Sequence, residues 1–347
     1  MIDLDNLDHT FVIAEAGSNW KKGSYEDDLK QAKEMIIVAA KSGADAIKFQ
    51  TFRSKTVYAS NAGTTKYLEE HGIKENINEI FAKHEMPYEM IPQLAEYCKQ
   101  NNILFMSSPF SIEDAKHIDP YVQIHKIASY EINHIRLLEY LAECKKPLLI
   151  STGASNYTDI DFVVELLKEK NAKFVLLQCT AKYPAPIDTL NLTTIPEMRT
   201  RYNVSIGLSD HSTDPLIAPL ISVGLGANII EKHFTLDRNL PGPDHRFALI
   251  PSELKLMIKS IRLADVAKGN SKKTILDEEQ DLRQFATRSI QAIKDISKDE
   301  VLQEGINFDV LRPGNKSRGV EARFLKEING KKSGTDVKIG EGVTNYY

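Results

Sequence analysis

The chain has 347 residues, more than one ordinary small domain needs, and this length suits a barrel-sized domain with a small companion. Apolar residues make up 42% and charged residues 27%, the balance of a soluble globular protein with a large core. A net charge of −4 argues against nucleic acid as the main partner, and the three scattered cysteines (Cys98, Cys144, Cys179) exclude a disulfide framework or a paired-cysteine metal site.

The first ten residues, MIDLDNLDHT, are acidic and polar. They predict no signal peptide and, with free thiols, a cytoplasmic protein. Short β-branched runs then alternate with longer amphipathic stretches. A strand is predicted over 11–16, a helix over 25–41 and a strand over 45–50. A long insertion, 53–86, is placed to form a lid or substrate loop. A helix over 88–100 leads to strands at 103–108 and 122–127. A helix over 132–144, a strand at 147–152, a helix over 159–170 and a strand at 174–178 follow, then a strand at 204–208. The longest apolar stretch, 215–230, is too short for a membrane span and contains Pro215 and Pro219. It reads as a core helix running into an eighth strand, 229–233. A helix over 252–268 precedes the polar, basic GNSKKT, read as a linker. Eight strand–helix units predict an α/β fold, a (β/α)8 barrel over 1–268. A linker over 269–287 and a small mixed domain over 288–347 follow. The alternative, a doubly wound sheet, lacks the glycine-rich turn after its first strand.

In such a barrel the C-terminal strand ends build the active site. Here every predicted strand ends in polar groups. Glu15 closes the first, with Asn19 beyond it. The second carries Lys48 and Gln50, which share a face because they are two apart. The third gives Ser107 and Ser108, the fourth Lys126, Ser129 and Glu131, the fifth Ser151 and Thr152. Gln178, Thr180 and Tyr183 follow the sixth, Ser209, Asp210 and His211 the seventh. Glu231, Lys232 and His233 close the eighth. Hydroxyls such as Ser107, Thr152 and Thr180 would serve equally as helix caps. Two lysines at strand ends need an anionic partner to offset their burial, and with converging hydroxyls they make a phosphate or carboxylate clamp. His211 and His233 lie on neighbouring strand ends, roughly 4.8 Å apart. They can share one divalent metal, with manganese, magnesium or zinc all compatible; a hydrogen-bonded core pair is the competing reading. His125 is expected to face the helix layer, and His9, His71, His84, His117 and His134 to be surface or packing residues. The loop 239–245 overhangs the strand ends and offers Asp244 and His245 to a substrate.

These motifs, in this order, resemble the sialic acid synthase family. The segments are IAEAGSN (13–19), KFQTF (48–52), SSPFS (107–111), HKIASYE (125–131), LLISTG (148–153), LLQCTAKYPAP (176–186), IGLSDHS (206–212), EKHFTLDRNLPGPDH (231–245) and RPGN (312–315). The resemblance runs from about residue 11 onward. It implies a (β/α)8 TIM barrel followed by a small antifreeze-like (SAF, β-clip) domain, in a domain-swapped homodimer. It also implies a nonulosonic acid synthase, a transferase that joins phosphoenolpyruvate to N-acetylmannosamine or a related acylated amino-sugar aldehyde and releases phosphate. Carried over by position, Lys48, Ser108, Lys126, Ser129, Ser151 and Ser209 are phosphoenolpyruvate ligands. Glu15, Gln50, Glu131, Tyr183 and Asp244 are catalytic or sugar-contacting groups. His211 and His233 are the ligands of a divalent metal, Mn2+ being the expected ion, and Arg312 reaches the N-acyl sugar. The chain departs from the pattern at Trp20, where the family commonly has histidine, and at Ala181, where it often has asparagine. Both are expected to border the sugar side of the pocket.

The mechanism expected from these parts has the enol carbon attacking the aldehyde, after which water captures the resulting cation and phosphate leaves. Glu131 is the first candidate to handle the water, Glu15 the second. Two rival readings remain: a Schiff-base aldolase or lyase using Lys48 or Lys126, and a non-catalytic carbohydrate-binding protein.

Overall fold

The structure, a computed structural model, describes residues 3–4, 6–64 and 75–347. His71 and the middle of the 53–86 insertion lie outside the described residues. The chain forms two compact units, Met1–Gly269 and Asn270–Tyr347. Among the described residues no helix is long and apolar enough to cross a membrane.

Among the described residues the first unit contains eight parallel strands: β1 Phe11–Gly17, β2 Ala46–Thr51, β3 Leu104–Pro109, β4 His125–Ile127, β5 Leu148–Ser151, β6 Phe174–Cys179, β7 Ile206–Asp210 and β8 Ile229–His233. They pair in the order β3-β2-β1-β8-β7-β6-β5-β4. The two ends of that series, β3 and β4, lie side by side, so the sheet closes on itself as a barrel. Helices alternate with the strands, and local chemistry marks their ends. Ser24 caps the helix Tyr25–Ser42 by accepting from the Asp27 amide, and Gly43 ends it at φ 90. Asn156 and Asp159 form a reciprocal capping box on the helix Tyr157–Glu169. The apolar stretch 215–230 is the helix Ile217–Gly224 followed by β8.

Alternation along each strand sorts residues between two cores. Outward residues such as Val12, Ile47, Ile150 and Leu176 pack with the helices, whereas Ile13, Ala46, Met106, Leu149, Val175, Leu177 and Ile229 fill the barrel bottom. Gly207 occupies an inward place in β7 because nothing larger fits: a β-carbon there would lie 2.6 Å from both the Ile229 carbonyl oxygen and Leu177 Cδ2. One residue pair further up each strand the inward positions turn polar. The barrel is therefore dry and packed below, and charged above.

The second unit has its own core of Ile290, Ile296, Leu302, Phe308, Val337 and Val343. Its strands β9 Ser289–Ala292 and β10 Phe308–Leu311 pair antiparallel. The stretch 269–287, expected as a linker, is not featureless. Apart from Gly269 it belongs to this unit and holds the helix Gln280–Ala286, which continues the turn Asp277–Glu279, where Glu279 accepts from the Leu276 amide at 2.9 Å.

Candidate active site

The polar floor rests on strand register. Glu15 of β1 pairs with Lys48 of β2 and with His233 of β8; Gln50 pairs with Ser108, and Ser209 with Glu231. Lys48 Nζ lies 2.7 Å from Glu15 Oε2 and 3.8 Å from Glu231 Oε1, and donates to Ser108 Oγ at 3.1 Å. Lys126 Nζ donates to Ser151 Oγ at 2.7 Å and to the Ile127 carbonyl at 2.9 Å, and lies 3.7 Å from Glu231. Ser209 donates to Glu231 at 3.2 Å, and Gln50 donates to Glu15 at 3.1 Å. Residues from β1, β2, β3, β5, β7 and β8 thus meet around two ammonium groups, with Lys126 from β4 among them.

The charges on this floor are uneven. Burial pushes the Glu15 carboxyl up to about 7, against the pull of Lys48. Burial would raise Glu231 as well, but Lys126 and then Lys48 outweigh it and hold that carboxyl below its ordinary value. Two buried lysines therefore share Glu231, the carboxylate held ionised, while Glu15 ionises less readily. Lysines ringed by hydroxyls and shielded from water suit an anionic ligand.

Sequence reasoning named Glu231 only as part of a polar strand end, not as a site residue. Its signal was the two-residue spacing from His233, which puts both on the inward face of β8. The same alternation removes other candidates. Lys232 and Asp210 point outward, where they form a buried ion pair beside Ser212. Ser107 bonds to Thr51, Thr152 to the Leu177 carbonyl and Thr180 to the Thr189 carbonyl, so these hydroxyls serve the fold. His125 faces the helix layer and bonds Asp119 at 2.9 Å.

The two histidines stand at one edge of the floor, their ring centroids 5.4 Å apart. His211 Nδ1 bonds the Thr180 carbonyl at 3.0 Å, which leaves Nε2 as its open donor atom. His233 Nδ1 is buried and, among the described residues, has no hydrogen-bond partner, an unusual state for a polar atom. An orphaned imidazole nitrogen beside a second imidazole with a free Nε2 fits a divalent metal. Among the described residues three metal-type donors do come within 4.8 Å of one another, but elsewhere: Asp119, His125 and Cys144, on the helix side of β4. There Lys146 already neutralises Asp119 at 2.9 Å.

Asp244 hangs over His233 from the loop 239–245. It accepts from the Ser18 amide at 3.1 Å and the Ser18 hydroxyl at 2.9 Å. Gly17, at φ +53, makes that approach possible, since a β-carbon there would stand 2.7 Å from Asp244 Oδ2 and 3.2 Å from His233 Nδ1. His245 is not offered to a substrate as expected. It is 1% exposed, with its ring bonded to Thr235 at 2.7 Å. Tyr183 stacks obliquely on His211 at 4.2 Å and faces Phe247 at 5.4 Å. Tyr183 and Phe247 begin the wall of a cavity of about 900 Å³ that Ile80, Pro241 and Pro243 continue and Lys22 and Arg246 rim. That volume accommodates a small sugar. Trp20 does not line it, contrary to expectation: the indole is 1% exposed and packs in the helix–strand core. Ala181 instead borders a separate cleft of about 460 Å³ beside the ends of β5 and β6.

Glu131 sits on the turn Ser129–Glu131, half-buried, and burial pushes it up to about 7. Among the described residues no hydrogen bond joins its carboxylate to the lysine floor. Ser129 does belong to the floor's edge, accepting from the Gly153 amide at 3.1 Å. Arg312 follows β10 in the second unit and is exposed.

A model of the NeuB family matches residues 35–273. The chain belongs to the NeuB family. This NeuB-family chain is 37% identical to the spore coat polysaccharide biosynthesis protein SpsE of Bacillus subtilis, over 96% of its own length and 92% of that protein. It is 37% identical to the pseudaminic acid synthase of Campylobacter jejuni, covering 96% and 95% of the two chains. The crystal structure of N-acetylneuraminic acid (sialic acid) synthetase from Leptospira borgpetersenii superposes with a TM-score of 0.71 at 32% identity, covering 80% of this chain and 91% of that one. The relatives thus match the chain nearly end to end.

Proposed function

We propose that this NeuB-family chain is a nonulosonic acid synthase that condenses phosphoenolpyruvate with an N-acylated amino-sugar aldehyde. The observation that carries the reading is the placement of two buried lysines, Lys48 and Lys126, among the hydroxyls of Ser108 and Ser151 beside the His211–His233 pair. Phosphoenolpyruvate is a small trianion, and lysines ringed by hydroxyls suit its carboxylate and phosphate. Lys48, Ser108, Lys126, Ser129, Ser151 and Ser209 would hold it, and holding the enol carbon against the aldehyde supplies much of the rate. The aldose would occupy the cavity walled by Tyr183 and Phe247 and extend into a smaller hollow of about 180 Å³ that shares Tyr183, where Gln50 and Asp244 would meet its hydroxyls.

His211 and His233 would hold a divalent metal, Mn2+ by the family resemblance. When bound, it would supply Lewis-acid polarisation of the aldehyde oxygen. The enol carbon forms the new C–C bond, and water adds to the cationic carbon left behind. Phosphate then leaves with its ester oxygen. Glu15 is better placed than Glu131 to take the proton from that water, because it shares ladder positions with both Lys48 and His233. Lys126 has the lowered proton affinity a Schiff-base lysine needs, caused by burial. Its Nζ is committed to Ser151 and Ile127, which favours the clamp over the aldolase.

The resemblance further supports a domain-swapped homodimer whose small unit is an antifreeze-like (SAF) domain, with Arg312 as a sugar contact, and the free cysteines support a cytoplasmic location. His233→Ala should abolish turnover and weaken Mn2+ binding at least tenfold. Full activity in that variant in the presence of a chelator would remove the metal from the reading. Arg312→Ala should raise KM for the aldose more than KM for phosphoenolpyruvate, and an equal rise in both would assign Arg312 a structural part.

A further inference from the structure

We infer that Cys179 is a positioning residue whose sulfur links the phosphoenolpyruvate cradle to the metal-binding histidine. The inference rests on the proposed roles of Ser129 and His211. Cys179 is the last residue of β6 and follows Val175 and Leu177 at two-residue steps. Those two belong to the barrel-bottom core, so the thiol also points inward, one layer higher. It is 6% exposed.

Two contacts define what the sulfur does. Ser129 Oγ donates to Cys179 Sγ at 3.4 Å, while accepting from the Gly153 amide at 3.1 Å. These two contacts hold the Ser129 oxygen in place in the ligand-free fold, and a bound anion would take the hydroxyl proton when it turns from the sulfur. On its other side Sγ lies 3.7 Å from His211 Nδ1, the nitrogen that also meets the Thr180 carbonyl at 3.0 Å. Sulfur and carbonyl together hold the Nδ1 side of the ring and aim Nε2 at the neighbouring His233. The pairing of Cys179 with Ser209 in the β6–β7 ladder fixes the height of the sulfur.

The thiol is crowded on one side as well. A β-carbon on Gly153 would stand 2.9 Å from Cys179 Sγ and 2.7 Å from Ser129 Oγ. Glycine at 153 lets the strand end press against the pair, which closes that side of the sulfur. Serine is not an equivalent replacement, because a hydroxyl is smaller and reaches less far than a thiol. It can accept from Ser129 but would stand off from the imidazole.

The test compares full-length wild type, Cys179→Ala and Cys179→Ser. Phosphoenolpyruvate affinity is measured by calorimetry without sugar, Mn2+ affinity by paramagnetic resonance, and thermal stability alongside. Loss of one hydrogen bond at each partner predicts that alanine weakens both affinities about fivefold. Serine should recover most of the phosphoenolpyruvate affinity and little of the Mn2+ affinity. Affinities within twofold of wild type in the alanine variant would overturn the inference, even if its melting temperature fell. Loss of only one affinity in that variant would overturn the link between the two sites. A wild type that binds neither phosphoenolpyruvate nor Mn2+ would instead overturn the proposed function on which the inference rests.

Discussion

Glu15 and Glu231 sit on one floor yet carry different charge, and the lysines decide which. Glu231 faces both Lys48 and Lys126, whereas Glu15 has one close lysine and a second carboxylate nearby. Removing the Glu231 charge leaves two buried ammonium groups without their shared partner. Glu231→Gln should therefore lower the unfolding free energy by about 3 kcal/mol. A urea midpoint equal to that of wild type would show that the lysines do not depend on it. Glu15 makes a different prediction. In the fold its proton is held up to about 7, against 4.5 for the ordinary carboxyl. The folded metal-free protein thus binds more protons than the unfolded chain across that window. Its contribution to stability is largest below pH 4.5 and falls as pH rises towards about 7. Relative to Glu15→Gln, wild type should lose stability over this interval, and parallel pH profiles would contradict the assignment.

At the scale of the strand, alternation explains both what the sequence disclosed and what it hid. The eight strands and their polar ends were legible because β-branched runs and charged ends are local signals. Which polar residue faces inward was legible only for residues two apart, such as Lys48 and Gln50. Glu231 escaped notice because three polar residues in a row, Glu231, Lys232 and His233, hide the alternation. His245 and Trp20 were misassigned because burial by a returning loop or a neighbouring helix leaves no mark on the local sequence. Gly207 shows how tightly the strands set the floor. Gly207→Ala would push a methyl group against Ile229 and Leu177, at a cost of about 2 kcal/mol. A fall in melting temperature of several degrees, with reduced turnover, is the expected result. A variant as stable as wild type would mean that the barrel relaxes around it.

At the scale of the whole molecule, two units with separate cores follow one another along the chain. The barrel was legible from its period, and its site from the polar strand ends. The second unit was less so, since its short mixed segments carry no period. Its helix Gln280–Ala286 lay wholly within 269–287, the stretch read as a linker from the polar, basic GNSKKT that opens it. What unites these observations is a floor of two buried lysines set beside two imidazoles, whose neighbours Tyr183 and Phe247 also wall a sugar-sized cavity. The measurement that tests this account most directly is phosphate release from phosphoenolpyruvate with Mn2+, over a panel of aldoses and with a chelator control. The panel would contain N-acetylmannosamine, its 6-phosphate and diacetamido-dideoxy hexoses. The account predicts release that requires both the metal and one of these aldoses. Release that persists unchanged with the chelator, or none with any N-acylated aldose, would contradict it.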